Sequence, residues 1–595
     1  MKAVIYQLVV RYFSNTNLTN QINGSIQTNG CGKFNDINDA ALNALASLGV
    51  THVWLTGVLR QATLTDYSEV GLPADDPDIV KGLAGSFYAV RDYFDVCPDY
   101  ASTPANRMQE FEALLQRMQN ARLKILIDLI PNHVSRGYNS ITNLGVNLGR
   151  GDDTSKFFDS QNNFFYLVDP PHQVLHLKKP KGWNPPGVKF DGRFSLEDGS
   201  AAHPPKATGN NVVSASLSEN DWYETVKLNY GFNFVTGDWN YSPQPKTWAH
   251  VDKILAYWQA KGVDGFRCDF AHYIPKEAWT FLISQARQRK SAYFLAESYP
   301  YSGSGDPIQS QQELIDAGFD AVYFYQSYNA LKAIYMDGDL DGFDQELLSQ
   351  PADMRAHLAS YLENHDERRV ASPVVRNQGP GASGFGTADA GYQLAPLQFL
   401  YASGPVLFFN GQEVGEPAAG AAGFGSDNGR TTIYDYWAMP EFTKWVNGLR
   451  YDGAGLSTSQ IALRSFYSAL NQVCQQPAVS GDGFWGLRYF NNPARFGDCP
   501  AGLYSYARFQ AGSGELLIVA SNFQDGSGIK GQIRVPLELS AEAKLSTNVE
   551  VRMILTRSGS ANELLATLTL DTLATHGFSV SIENQASQVY LISSS

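Results

Sequence analysis

Three carboxylates each close a predicted strand: Asp269 in GFRCDF, Glu297 in FLAES and Asp366 in ENHDE. Each stretch is an apolar or β-branched run that stops at an acid, and a closed parallel barrel gathers such strand ends at one face. Residues i and i+2 of a strand share a face, so Arg267 and Asp269 point the same way. A guanidinium beside a carboxylate favours the ionised form and lowers its pKa, which suits a nucleophile; a structural salt bridge inside a barrel is the other use of such a pair. Glu297 ends an apolar run, where poor solvation and neighbouring carboxylates raise a carboxyl's pKa and fit it to donate a proton. A carboxyl pair at roughly 5 to 5.5 Å is the arrangement that cleaves glycosidic bonds with retention.

Two histidines belong to the same set. His133 ends DLIPNH and His365 stands beside Asp366, so both offer imidazole donors to sugar hydroxyls without adding negative charge. Glu363, Glu367, Arg368 and Arg369 crowd the Asp366 segment, and a solvated charged loop is the alternative reading there.

Positioning these groups falls to eight strand-like runs at 3 to 13, 50 to 58, 123 to 133, 263 to 270, 292 to 298, 320 to 326, 359 to 364 and 404 to 413. Stretches with apolar residues at three and four spacing lie between most of them, such as 107 to 121 and 247 to 262. Eight βα units predict an α/β fold, a TIM (β/α)8 barrel rather than an open sheet. Its last helix is expected at 459 to 476. About 110 residues after the third strand exceed any ordinary βα loop and read as an inserted subdomain walling one side of the cleft. Past residue 480, short strands separated by Gly, Ser and Asn predict an antiparallel β-sandwich. The expected domains are a barrel from 1–135 and 245–477, an insertion at 136–244 and a sandwich at 478–595.

Composition narrows the partners. A net charge of -14 argues against nucleic acid, which calls for a basic face. No apolar stretch reaches 18 residues, so no membrane span is expected. Aromatic content of 12% suits either sugar stacking or a large core. The 5 cysteines show no CxxC spacing, although Cys474 and Cys499 could pair. MKAVIYQLVVRYF continues through Arg11 without a small-residue cleavage site and reads as a first strand. That favours the cytoplasm, while a processed secreted form would look the same.

Four motifs in order, DLIPNH (128–133), GFRCDFAHY (265–273), FLAES (294–298) and YLENHDE (361–367), resemble the conserved regions of the α-amylase family of glycoside hydrolases (family 13). The resemblance covers nearly the whole chain. It implies Asp269 as nucleophile, Glu297 as general acid then base, and Asp366 as the group that binds ring hydroxyls and stabilises the oxocarbenium-like transition state. Arg267, His133 and His365 match the family's substrate-binding positions, Asp128 its structural aspartate. In GSFYAVRDY, Tyr88 matches a tyrosine that stacks under the cleaved sugar, with Asp92 four residues on.

The implied activity is retaining cleavage of α-1,4-glucosidic bonds in starch or maltooligosaccharides. The alternatives are a glucan transferase with the same triad and a non-catalytic carbohydrate-binding protein on the same fold. Ala271, His272 and Tyr273 depart from the family's usual pair after the nucleophile, so subsites beyond the cleaved bond do not transfer. No cofactor is required for the chemistry. A structural calcium has Asn132 as its candidate ligand, yet LNYGFNF (228–234) lacks the family's calcium-binding aspartate, and calcium prefers six to eight oxygens. The Asn-rich loop from Asn15 to Asn35 is the other place for a cation. GQEVGEP (411–417) and GFGSDNGRTTIYDYW (423–437) are expected to line the cleft.

Overall fold

VIYQLV forms β1 (Val4–Val9) with every position buried, because a strand in an all-parallel sheet is covered on both faces and must be apolar along most of its length. The computed structural model describes residues 2–299, 309–338, 340–375, 378, 380–524 and 526–595. Seven further strands follow: β2 (His52–Thr56), β3 (Lys124–Leu129), β4 (Gly265–Cys268), β5 (Tyr293–Ala296), β6 (Ala321–Tyr323), β7 (Leu358–Ala359) and β8 (Val406–Phe409). They are parallel neighbours in chain order, from β1 through β7, with β8 returning beside β1. Ser360, just past β7, closes the ring by a parallel bridge to Val406, donating to the Pro405 carbonyl and accepting from Leu407 N–H, both at 2.9 Å. The fold is a TIM barrel.

The strands are shorter than the apolar runs that predict them. The first ends at Val9 and turns into one helical turn, Val10–Phe13, and the seventh spans only Leu358–Ala359. Beyond the rim a strand loses the neighbour it would pair with, so the remaining apolar residues pack under loops instead. Ile5, Trp54, Leu126, Leu295, Tyr323 and Leu407 fill the barrel interior. Outside, helix α1 (Arg107–Asn120) buries Phe111, Leu114, Leu115 and Met118, the three and four spacing that lays one apolar stripe on the sheet. The last barrel helix, α2 (Thr458–Val473), starts at a capping box between Ser457 and Gln460.

Between β3 and the helix Lys246–Ala260 the chain has only short elements. His133–Ser135 pairs antiparallel with Thr225–Lys227, and the segment packs its own apolar cluster of Leu175, Leu177, Phe194, Leu217 and Tyr223 against Ile79. At the carboxyl end of the chain, a 6-stranded antiparallel sheet starts at Gly483–Gly486, a strand the sequence pattern does not reveal. A 2-stranded pair, Ile529–Ile533 with Phe578–Ile582, shares one apolar core with that sheet.

All described cysteines are free and buried. Cys474 packs in the barrel core and Cys499 in the C-terminal core, so the two do not pair. Among the described residues no helix is long and apolar enough to cross a membrane.

Candidate active site

Arg267 has no solvent exposure, and a buried guanidinium must be paired to be tolerated. Its Nη1 lies 2.7 Å from Asp269 Oδ1 and 3.4 Å from Asp128 Oδ1, and its Nη2 lies 3.0 Å from Glu297 Oε2. The guanidinium stands over the rings of Trp54 at 4.9 Å and Tyr88 at 5.5 Å. Asp128, at the end of β3, is fixed on its other oxygen by Gly57 N–H at 2.8 Å. One cation thus gathers carboxylates that follow or end three adjacent strands.

That sharing corrects the expected electrostatics of Asp269. Burial, then the facing Glu297 charge, push its carboxyl well above the ordinary carboxylate range, and Arg267 does not reverse this. A single positive charge divided among Asp128, Asp269 and Glu297 is too little to hold all three ionised in a dry site. Arg267 takes up Oδ1 of Asp269 and leaves its buried Oδ2 with no hydrogen-bond partner among the described residues.

Glu297 is held on both oxygens. Phe270 N–H donates to Oε2 at 2.8 Å and Tyr299 O–H to Oε1 at 3.0 Å. Phe270 has φ 43° and ψ 43°, a left-handed conformation that costs a bulky residue of order 1–3 kcal/mol. The strain turns the chain directly after Asp269 so that the next amide faces the second carboxyl.

Asp366 stands with His365. His365 Nε2 lies 2.9 Å from Asp366 Oδ2 and 2.6 Å from the Tyr88 hydroxyl. Burial alone would raise Asp366, but His365, with Arg267 and Arg430 further off, outweighs it and holds the carboxyl down at about 2. The imidazole of His133 is pushed down to about 3 by burial, reinforced by Lys227 and Lys81, so it is a neutral ring at any ordinary pH.

Tyr88, His133, Asp269, Glu297 and Asp366 line one cavity of about 200 Å³. Arg267 and His365 stand behind it as supports, with 0% and 3% exposure. A larger groove of about 900 Å³ beside Trp485 and Tyr489 includes none of these residues.

Other expected positions fall elsewhere. Asp92 does not line the cavity; it is buried and accepts from the backbone N–H groups of Phe94 at 2.9 Å, Ile141 at 3.0 Å and Thr142 at 3.4 Å. It ties the loop after β2 to the start of the insertion. GQEVGEP is structural too: Glu413 accepts from the Tyr6 hydroxyl at 2.8 Å, and Glu416 from Glu441 N–H at 2.9 Å. From the following segment, Ile433 and Tyr434 do reach the cavity.

Asn132 does not fit a calcium ligand. Its Oδ1 accepts from the Lys227 ammonium and its Nδ2 donates to the Gly209 carbonyl at 2.8 Å. An ammonium on that oxygen repels a second cation. The Asn-rich loop spends its amides on the backbone: Asn15 and Asn29 donate to the Trp437 and Tyr436 carbonyls at 2.9 and 2.8 Å. Among the described residues no three His, Cys, Asp or Glu side chains form a metal-holding group.

Several site residues escape sequence reasoning. Gln7, the lone polar residue of β1, reaches His365 Nδ1 at 2.7 Å, and a single amide in an apolar strand is the signal that could have found it. Tyr299 follows FLAES directly. Trp222, against His133 and Phe270 at 5.2 and 4.9 Å, and the Lys81–Glu224 pair at 2.8 Å come from distant segments with no local signature.

Residues 7–293 match the family model described as alpha amylase, catalytic domain. The chain is similar to a trehalose-6-phosphate hydrolase of Bacillus subtilis, 24% identical over 46% of this chain and 36% of that protein. It is also similar to alpha-amylase 3 of Dictyoglomus thermophilum, 21% identical over 76% of this chain and 72% of the relative. The chain thus spans about a third of the length of the first of these relatives. Among solved structures, an alpha-amylase from Lactobacillus plantarum superposes with a TM-score of 0.57 at 19% identity, covering 98% of each chain.

Proposed function

With residues 7–293 belonging to the alpha-amylase catalytic-domain family, we propose that the chain is a retaining α-glucan-active glycoside hydrolase. Its substrates are α-1,4-linked maltooligosaccharides or starch, cleaved through a covalent glycosyl-enzyme intermediate. One observation supports this reading above the others: among the described residues Asp269 Oδ2 has no partner, while the Glu297 carboxyl stands on the same guanidinium.

In the first step Glu297 gives its proton to the glycosidic oxygen, the bond from that oxygen to the anomeric carbon breaks, and Asp269 Oδ2 bonds to the carbon. In the second, the Glu297 carboxylate takes a proton from water, the water oxygen attacks the same carbon, and the ester to Asp269 breaks. The Asp269 carboxyl is pushed up by burial and the facing Glu297, and acid catalysis requires the proton on the Glu297 side when a glycosidic oxygen is present to accept it. Asp366, ionised and braced by His365, binds ring hydroxyls and faces the positive charge that develops on the sugar. His133 donates as a neutral group.

Asp269→Asn tests the assignment. It is expected to lower kcat on maltooligosaccharides by on the order of 10⁴-fold, and NMR of early products should show the α-anomer. Full activity in the variant, or inverted product, refutes it. Transfer to a sugar acceptor is the second reading, favoured by the Trp222–Phe270 pair at 4.9 Å, which offers an acceptor sugar an aromatic face. Products longer than maltotriose after incubation with maltotriose identify it.

A further inference from the structure

A groove larger than the catalytic cavity lies where the barrel meets the C-terminal sheet. Its volume of about 900 Å³ stands at the upper end of the roughly 300–1,000 Å³ of small-ligand sites. The barrel side contributes Asp341, Asp344, Gln345 and Leu348, and the strand Gly483–Gly486 with the turn after it contributes Trp485 and Tyr489. Its place in the fold sets it apart from the carboxylates. The helix Tyr325–Asp337 follows β6 and carries the chain about 20 Å back along the barrel. Helix Phe343–Leu348 then leads towards β7, so the groove flanks the amino ends of the strands, whereas Asp269 and Glu297 follow carboxyl ends.

The walls of the groove are fixed. Phe343 stacks on Tyr401 at 4.4 Å, and Tyr401 meets Phe484 at 5.3 Å, which clamps the barrel helix to the C-terminal strand. Gly486 runs so close to Asp344 that a Cβ there would sit 1.7 Å from Oδ2. Trp485 Nε1 donates to Glu542 Oε2 at 3.1 Å, which holds the plane of the indole. The Tyr489 carbonyl accepts from Asn492 Nδ2 at 2.7 Å, and the turn so formed leaves Tyr489 60% exposed.

Charge narrows the ligand. Arg488 donates to the carbonyls of Ala501 at 2.8 Å and Leu503 at 3.1 Å and pairs with Asp341 at 3.2 Å, so its cation is already engaged. Asp344 accepts from the Tyr504 hydroxyl, and burial pushes its carboxyl up to about 6. An ionic ligand finds little to answer it here. What faces solvent are the Trp485 and Tyr489 rings, the Gln345 amide and the Asp341 carboxylate, which is 80% exposed. Aromatic faces beside polar side chains match the apolar face and hydroxyl rim of a neutral sugar.

Resting on the α-glucan reading of the chain, we propose that this groove is a second, non-catalytic binding site for the same glucan, holding several neutral sugars across Trp485 and Tyr489. A polymer held at both places gains from the high effective concentration of its second segment. A trisaccharide is too short to span the barrel and gains nothing.

The test compares the full chain with Tyr489→Ala on soluble starch and on maltotriose, and runs both in native gels cast with soluble starch. Tyr489 is mostly in solvent, so its truncation leaves the fold intact. The variant should show a KM for starch raised roughly tenfold and weaker retardation in the gel, with kcat/KM on maltotriose within about twofold of the wild type. Trp485→Ala should act in the same direction, and Tyr489→Ala decides the matter even where Trp485→Ala fails to fold. Equal starch KM and equal retardation in the full chain and Tyr489→Ala overturn the second site, while maltotriose hydrolysis keeps the glycosidase reading. Retardation that depends on Tyr489 in a chain that hydrolyses neither substrate supports the site and refutes the glycosidase reading; neither hydrolysis nor retardation overturns both. A concentration-dependent dimer in sedimentation that Tyr489→Ala abolishes assigns the groove to a second copy and overturns the sugar.

Discussion

Gln7 Nε2 lies 2.7 Å from His365 Nδ1, joining the first barrel strand to the loop after the seventh. With the amide donating, Nδ1 accepts and the ring hydrogen sits on Nε2, aimed at Asp366 Oδ2 at 2.9 Å. The tautomer that braces the third carboxylate is therefore set by a residue far from it in sequence. Gln7→Leu removes that donor inside a buried site. Such a bond is worth about 1–2 kcal/mol, so kcat/KM should fall about tenfold with the melting temperature little changed. Steady-state kinetics and a thermal melt on the same preparation check both halves.

Arg267→Lys keeps the charge but loses the fork. An ammonium cannot reach Asp269, Asp128 and Glu297 as the two Nη atoms do. Leaving buried carboxylates short of a partner is expected to cost about 3–5 kcal/mol of stability. Urea unfolding measures it, and a loss below 1 kcal/mol contradicts the hub role.

His133 gives the fold a pH dependence of known sign. Its folded pKa is lowered from 6.5 to about 3 by burial, then by Lys227 and Lys81. Below 6.5 the unfolded chain takes up a proton that the folded chain refuses, so stability falls as pH drops from 6.5 towards 3, by about 1.4 kcal/mol per unit. It is unaffected above 6.5. His133→Gln should lessen that slope by one proton's share, about 1.4 kcal/mol per pH unit, and unfolding free energies at pH 7 and 5 for the two proteins supply the comparison.

Lys227 occupies the Asn132 oxygen, and its ammonium disfavours a second cation there. Chelator and added calcium should both leave activity and melting temperature unchanged. Lys227→Met strands that amide oxygen and should destabilise by about 1–3 kcal/mol. A melting temperature that rises with calcium in the wild type contradicts the substitution of an ammonium for a metal.

Much of this protein was legible in the residue order. Parallel strands buried on both faces must be mostly apolar, and GFRCDF, FLAES and LKILIDL are apolar except at a few charged or polar positions, so the barrel and the acids at its strand ends could be read directly. Arg267 and Asp269 could be paired because a strand's period is two. Asp92 misled for a local reason: it follows Tyr88 at a suggestive spacing, but its side chain accepts from the backbone amides of Phe94 and, in the insertion, Ile141 and Thr142.

What only the tertiary structure decided are quantities that depend on several strands at once. The direction of the Asp269 shift required knowing that Arg267 is divided among three acids. The fate of Asn132 required Lys227, brought back by the antiparallel pairing of Thr225–Lys227 with His133–Ser135. The shape of the cavity wall depends on Lys81 and Tyr434, from two loops that Arg11 ties together, and on Glu224, which pairs with Lys81 from a third. Local sequence determines periodicity and burial. Charge balance and cavity shape arise from groups summed across space, and no stretch of the chain contains them alone.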